Sequence, residues 1–310
     1  MTLGRSLHRM KVLVTGASGL IGSALIPALT DAGHTVIKAV RRASTSPTVL
    51  SWDPAAGTID SARLAGVNAV IHLAGAGIGD KRWTDDYKKE IRESRTEGTR
   101  VLAEALAAMP VKPSVFLSGS AIGIYGAHGD EQLDESSPAA NDFLAQVCVD
   151  WEAAAAPAVQ AGIRTVYLRT GIVLSPNGGA LKKQLPLFKL GLGGTFGSGK
   201  QWQSWISIDD EVGAIMHLLN SQVTGAVNLT APQAVTAKEF SRTLGKVLKR
   251  PAFAPIPSFG PKALLGSELV QNLLINGQRV LPTVLQKDGY QFKHAQLEDA
   301  LRDLVARKKS

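Results

Sequence analysis

Three glycines spaced by three, Gly16, Gly19 and Gly22, follow the apolar run Val12-Leu13-Val14 and could together cradle an anion. Gly16 lets the chain turn sharply out of a strand. Gly19 lets backbone approach a pyrophosphate, and Gly22 lets the next helix pack closely on a sheet. Unpaired N–H groups at the start of that helix then point at the ligand. A second chemical signal is Arg41-Arg42, at the end of the apolar run Thr35–Val40. In a dinucleotide fold that place lies beside the adenosine ribose, where an acidic residue accepts from a 2′-hydroxyl and an arginine accommodates a 2′-phosphate. No Asp or Glu occurs between Asp31 and Asp53, so the expected cofactor is NADP(H) in preference to NAD(H).

These residues need a strand, a turn and a helix, repeated, to hold them. The amphipathic stretch Ala24 to Leu29 predicts the first helix, stopped by Asp31-Ala32-Gly33-His34. Val49–Asp53 is strand-like. Asn68 to Leu73 reads as a buried strand running into Ala74 and Gly75, whose small side chains would let a cofactor lie flat across the strand ends. A long helix is expected from Trp83 to Met109, and a strand from Ser114 to Leu117 that enters Ser118-Gly119-Ser120. Another helix is expected from Asp142 to Gln160, a strand from Arg164 to Arg169, and a late strand from Val227 to Thr230. Such alternation predicts an α/β fold, a Rossmann-type doubly wound parallel sheet with right-handed crossovers. Residues 176 to 204 are rich in glycine and aperiodic, as loops shaping a substrate cleft would be. The expected division is a Rossmann domain over 10–175, with 205–230 returning to it. A smaller substrate-side and C-terminal domain takes 176–204 and 231–303, and 1–9 and 304–310 are tails.

Composition narrows the options. With 45% hydrophobic and 19% charged residues among 310, the chain is expected to be globular. The single cysteine, Cys148, allows no internal disulfide, and the six histidines lack metal-ligand spacing, so no metal is expected. No apolar run is long enough for a membrane span, and the first residues lack a signal-peptide core, which predicts a cytoplasmic protein. The net charge of +8 is dispersed, with no basic helix and no aromatics interleaved with Arg or Lys. Nucleic acid is therefore not an expected partner; a small-molecule substrate is, and the oligomeric state stays open, a homodimer included.

Several stretches carry a family resemblance: Thr15 to Gly22, Leu73-Ala74-Gly75, Ser118-Gly119-Ser120 with Tyr125-Gly126, and Leu168 to Ser175. So do Ala76 to Trp83, Leu190 to Gly194, Gly197 to Trp202, Trp205 to Asp210 and Gly277 to Pro282. The chain resembles, over about residues 10 to 303, the atypical extended short-chain dehydrogenase/reductases of the NAD-dependent epimerase/dehydratase superfamily. Within it the likeness is to the TIGR-type epimerase family with its small C-terminal domain. The resemblance implies an NADP(H)-binding oxidoreductase or epimerase-like enzyme acting on a small polar substrate, with a nucleotide-sugar as one option. It also implies a phosphate loop of Gly16, Ser18, Gly19, Leu20, Ile21 and Gly22, with Arg41 at the 2′-phosphate. Leu73, Ala74, Gly75 and Ser118 would lie along the cofactor, and Thr170, Gly171, Ile172 and Val173 near the carboxamide.

One departure matters. Extended reductases use a tyrosine and a lysine four residues later to move a proton. None of the four tyrosines, Tyr87, Tyr125, Tyr167 and Tyr290, has that lysine. Counting about two dozen residues from Ser120 puts Leu144 and Cys148 in those places; a slipped register would give Cys148 and Glu152. The candidates left for substrate chemistry are Ser120, Tyr125 and Cys148. A rival reading is a non-catalytic NADPH-binding redox sensor or docking protein, a role in division among its options.

Overall fold

The computed structural model describes residues 9–252, 254–256 and 266–307. The chain opens with β1 (Lys11–Thr15), α1 (Leu20–Asp31), β2 (Thr35–Val40), β3 (Val49–Asp53), β4 (Thr58–Ile59) and β5 (Ala69–His72). There follow α2 (Asp85–Ala108), β6 (Val115–Ala121), β7 (Gln132–Leu133), α3 (Phe143–Ala153), α4 (Ala156–Gln160), β8 (Arg164–Thr170) and β9 (Ile172–Leu174). Next come α5 (Gly179–Lys189), β10 (Gly194–Phe196), β11 (Trp202–Gln203), β12 (Trp205–Ser207), α6 (Ile208–Asn220) and β13 (Gly225–Leu229). The last elements are β14 (Val235–Thr236), α7 (Ala237–Leu248), β15 (Ala254–Ile256), α8 (Ser267–Val270), β16 (Arg279–Val280), α9 (Thr283–Lys287) and α10 (Leu297–Ala306).

The principal sheet has eight strands in the order β13-β8-β6-β5-β1-β2-β3-β4. All neighbours pair in parallel except β3 with β4. Its order reverses between β1 and β5, the switch point of a doubly wound sheet, where strand ends splay to leave a crevice. The near-continuous apolar β1, β5 and β6 follow from burial on both faces. On one face Val12, Val14, Ile71 and Leu117 pack against Leu25 and Leu29 of α1 and Ile215 and Leu218 of α6. Leu13, Val70 and Phe116 on the other face meet Leu102 and Leu106 of α2. A separate core joins Leu181, Leu185 and Phe188 of α5, Phe240 and Leu244 of α7, and Leu301 and Leu304 of α10. Leu20, Ile21 and Ala24 of α1 pack on it as well.

The helix expected over 142–160 is two helices. Asp142 caps α3 by accepting from the Ala145 N–H at 3.0 Å, and Ala154 and Ala155 interrupt the run before α4 restarts at Ala156-Pro157. Proline lacks the N–H and clashes with the preceding turn, but is tolerated where a helix begins. The expected N-terminal extension and most of the proline-rich stretch near 251–261 lie outside the described residues. No helix among the described residues is long and apolar enough to cross a membrane. Asp209, His294 and Asp303 come together near the end of the chain, but Lys293 and Arg307 already bond to the same carboxylates, tying α6 to α10.

Candidate functional site

At the turn after β1, Gly16 has a φ of +66°, and a Cβ there would lie 2.6 Å from the carbonyl oxygen of Leu73. A Cβ on Gly22 would lie 2.3 Å from the Gly16 carbonyl oxygen. Only glycine satisfies both places. Helices α2, α3, α6 and α7 begin on Thr84, Asp142, Ser207 and Thr236, whose side chains accept a backbone N–H. By contrast α1 begins on Gly19, with no side-chain cap and no acidic residue in its first turn. Its first N–H groups and positive dipole end are thus left for an anion. Ser18 and Gly19 are exposed at the turn, while Leu20 is held from the far side by the loop before α5, where a Cβ on Gly178 would lie 2.7 Å from Leu20 Cδ1.

The next strand end is set by one hydroxyl. Thr15 Oγ1 accepts the N–H groups of Leu73 and Ala74 at 3.1 and 3.2 Å and lies 2.6 Å from His72 Nδ1. Burial holds the His72 imidazole down at about 4, so the ring is neutral and its Nδ1 accepts the Thr15 proton. Leu73, Ala74 and Gly75 are thereby fixed beside the glycine turn. Arg41 and Arg42 follow β2, which pairs Val14 with Lys38 and so ends next to that turn. Both arginines are exposed and form no ion pair among the described residues.

Beyond the ends of β6 and β8 lies a cavity of about 220 Å³. One wall is α3, which presents Leu144, Val147, Cys148 and Trp151; another is the turn Thr170-Gly171-Ile172. Gly171 is pinned there, its N–H donating to the Leu229 carbonyl at 3.0 Å and the Ile172 N–H to that of Ser204 at 2.9 Å. Val173 instead packs between the two cores on α1 and α6. Leu144 and Cys148, the positions reached by counting from Ser120, do face this space. Burial, aided by the Glu152 carboxylate, pushes the Cys148 thiol up to about 12, so it stays protonated.

Ser120 and Tyr125 belong to a different construction. Ser120 does not line the cavity; its hydroxyl donates to Glu152 Oε1 at 2.6 Å, and Ala121, pointing the other way along β6, takes the cavity position. Glu152 also receives Arg169 Nε and Nη2 at 2.8 and 2.9 Å. Arg169 Nη1 donates to the Tyr125 hydroxyl at 2.9 Å, which itself donates to Asn228 Oδ1 at 2.7 Å. Tyr125 is fully buried, and its phenol is pushed above its ordinary value by that burial. Burial works against the charge of Arg169 too, but the bonds to Glu152 more than offset it and leave its pKa raised. The Ser118 hydroxyl is buried without a partner, deep in the strand. Ser120 and Tyr125, expected to meet substrate, have their hydroxyls bonded in a network that ties β6, α3, β8 and β13 together.

Sequence reasoning overlooked three groups. Arg95 and Trp151 both line the cavity. Arg95 sits in the buried stripe Tyr87, Ile91, Gly98, Leu102 of α2, a charge at an apolar position, which was its available signal. Glu211, at the start of α6, is fully buried; Thr170 Oγ1 donates to its Oε1 at 2.9 Å, and burial pushes its carboxyl up to about 8 against that bond.

The reversed sheet order and the glycine turn define a Rossmann-like α/β protein of the short-chain reductase type. The chain belongs to the NAD dependent epimerase/dehydratase family, whose model matches residues 12–230, and a domain of unknown function, DUF1731, matches 256–304. It is 44% identical over 291 residues to the epimerase family protein Mb2239 of Mycobacterium bovis, covering 94% of this chain and 96% of that one. The crystal structure of human epimerase family protein SDR39U1 (isoform 2) with NADPH is similar at a TM-score of 0.87 and 35% identity, covering 96% of this chain and 99% of that one. A nucleoside-diphosphate sugar epimerase of Corynebacterium glutamicum is similar at a TM-score of 0.78 and 35% identity, over 96% of this chain and 59% of that one.

Proposed function

We propose that the protein binds NADP(H) in preference to NAD(H) and uses it in reversible hydride exchange with a small polar substrate held in the cavity. The observation that carries the reading is the uncapped start of α1 over a turn whose Gly16 and Gly22 admit no Cβ, with Arg41 and Arg42 unpaired among the described residues at the neighbouring strand end. The human relative crystallised with NADPH supports the same choice of cofactor. Gly16, Ser18, Gly19, Leu20 and Ile21 would hold the diphosphate, with Gly22 keeping α1 close. Arg41, with Arg42 beside it, would meet the 2′-phosphate. Leu73 to Gly75 would support the ribose path, and Thr170 to Ile172 the carboxamide end. When bound, NADPH would supply a hydride.

The cavity wall then decides the chemistry. Leu144 cannot move a proton and Cys148 holds its own, so the protein brings no tyrosine-lysine pair to a hydride step. Losing positioned acid-base help costs about 10² to 10⁴ in rate. The same wall favours a second reading, a non-catalytic NADPH sensor. Calorimetric titration with NADPH and NADH, followed by assays of nicotinamide oxidation with a panel of carbonyl compounds, tests both. Tighter binding of NADPH is expected; equal or preferential NADH binding refutes the cofactor assignment. Turnover by any substrate removes the sensor reading.

A further inference from the structure

Arg95 is the only charged side chain lining the cavity among the described residues, and no Asp or Glu faces it there. Its guanidinium lies against the end of β5, where a Cβ on Gly75 would sit 3.3 Å from Arg95 Cζ. It also stacks over the Trp151 ring, 5.0 Å from the centroid. A guanidinium carries five N–H donors. Among the described residues Arg95 bonds only within its own helix, Nη1 to the Ile91 carbonyl at 2.9 Å, and it has no carboxylate partner. Burial works against its charge, lowering its pKa from the ordinary value.

The indole of Trp151 adds a second unspent donor. Trp151 is 7% exposed, and its Nε1 is buried with no hydrogen-bond partner. A buried donor without an acceptor is costly, so most such groups are satisfied, and one beside a cavity is a place where a ligand can complete it. Three of the other polar side chains of the cavity are already engaged. Gln201 Nε2 donates to the carbonyls of Phe196 and Leu274, Ser204 to that of Gln278, and Thr170 to Glu211. The remaining lining polar groups are uncharged amides such as Gln203 and Gln278, so the one charge facing this space among the described residues is the Arg95 cation, with the unpartnered Trp151 indole stacked against it.

We propose that Arg95 and the Trp151 indole N–H form an anion-binding subsite, and that the substrate taken into the cavity carries a carboxylate or phosphate group held there. This rests on the cavity being the substrate site of an NADP(H)-binding protein, and it names the class of that substrate. The shared chemistry is an anionic oxygen. Besides a substrate, the diphosphate of the cofactor is the other source of one.

The test is titration of the protein, free and saturated with NADPH, with sodium malonate, inorganic phosphate and uncharged malonamide at constant ionic strength, read by tryptophan fluorescence and calorimetry. Malonate or phosphate is expected to bind both forms saturably and malonamide neither. Arg95→Met should weaken the anion at least tenfold while leaving NADPH affinity within twofold, which also reports an intact fold. Trp151→Phe, which keeps the stacked ring and removes the N–H, should weaken it several-fold. Anion binding that is absent, or unchanged in Arg95→Met, overturns the proposal. So does anion binding that NADPH abolishes, together with weakened NADPH in Arg95→Met, because the guanidinium then serves the cofactor. Failure of wild-type protein to bind NADPH would strike the cofactor reading alone, since anion binding to the free protein is measured separately.

Discussion

Removing the Glu152 carboxylate should expose how much the fold depends on the network under β6. The Glu152 and Arg169 side chains are 13% and 11% exposed, and the carboxylate accepts two guanidinium bonds and the Ser120 hydroxyl. Breaking a buried pair from one side costs about 3–5 kcal/mol, because the remaining charge stays desolvated. In Glu152→Ala the guanidinium keeps only the Tyr125 hydroxyl and the distant Glu135 carbonyl, so the low end of that range, about 3 kcal/mol, is the expected loss. At roughly 2–4 °C per kcal/mol this lowers Tm by about 6–12 °C. Arg169→Met alone should cost a similar amount. The double variant Glu152→Met, Arg169→Met leaves no buried charge and strands only the Ser120 hydroxyl, a loss of about 1–3 kcal/mol. Urea unfolding followed by circular dichroism gives the cycle, and a coupling of at least about 2 kcal/mol is expected. Two single variants each costing less than about 1 kcal/mol would refute the reasoning, since that is the worth of an exposed pair.

Arg41→Asp should weaken NADPH at least about tenfold, the worth of a charge-assisted hydrogen bond, and barely alter NADH; calorimetry showing an unchanged preference removes Arg41 from the 2′-phosphate. Glu211 holds a proton from its ordinary 4.5 up to about 8, whereas the unfolded chain loses it near 4.5. Unfolding free energy attributable to this group must therefore fall as pH rises through that window, by a few kcal/mol at about 1.4 per pKa unit. Glu211→Gln keeps an acceptor for Thr170 and should gain stability over wild type steadily from pH 5 to pH 8; a pH-independent difference contradicts the assigned burial. Cys148 is the single thiol and holds its proton up to about 12, so a thiol reagent at pH 8 should label the native protein far more slowly than the unfolded chain; native labelling as fast as unfolded would show an ordinary thiol.

The glycine turn, the parallel sheet and the boundaries of β1, β2 and α2 were legible because they depend on local pattern: steric demand at Gly16 and Gly22, and apolar periodicity elsewhere. The site wall was legible only in part. Counting along the chain located Leu144 and Cys148, since helix spacing is regular, but it could not tell which face of β6 Ser120 takes. A one-residue shift exchanges the faces of a strand, and Ala121 holds the cavity position in its place. Glu152 and Arg169 lie 17 residues apart and meet only after β8 has crossed beside β6. Such partners leave no mark in spacing, and Arg95 shows itself only as a charge out of place on an apolar helix face.

Leu20 and Ile21 leave the glycine turn and belong at once to the packing of α1 and to the core built by α5, α7 and α10. The loop before α5 closes on the Leu20 side chain itself. Packing of this kind would couple an anion seated at the start of α1 to the small C-terminal core through one turn of helix, and any such coupling is reciprocal. A substitution that loosened the C-terminal core would then lower the affinity of the turn by the same factor by which the bound anion steadies that core.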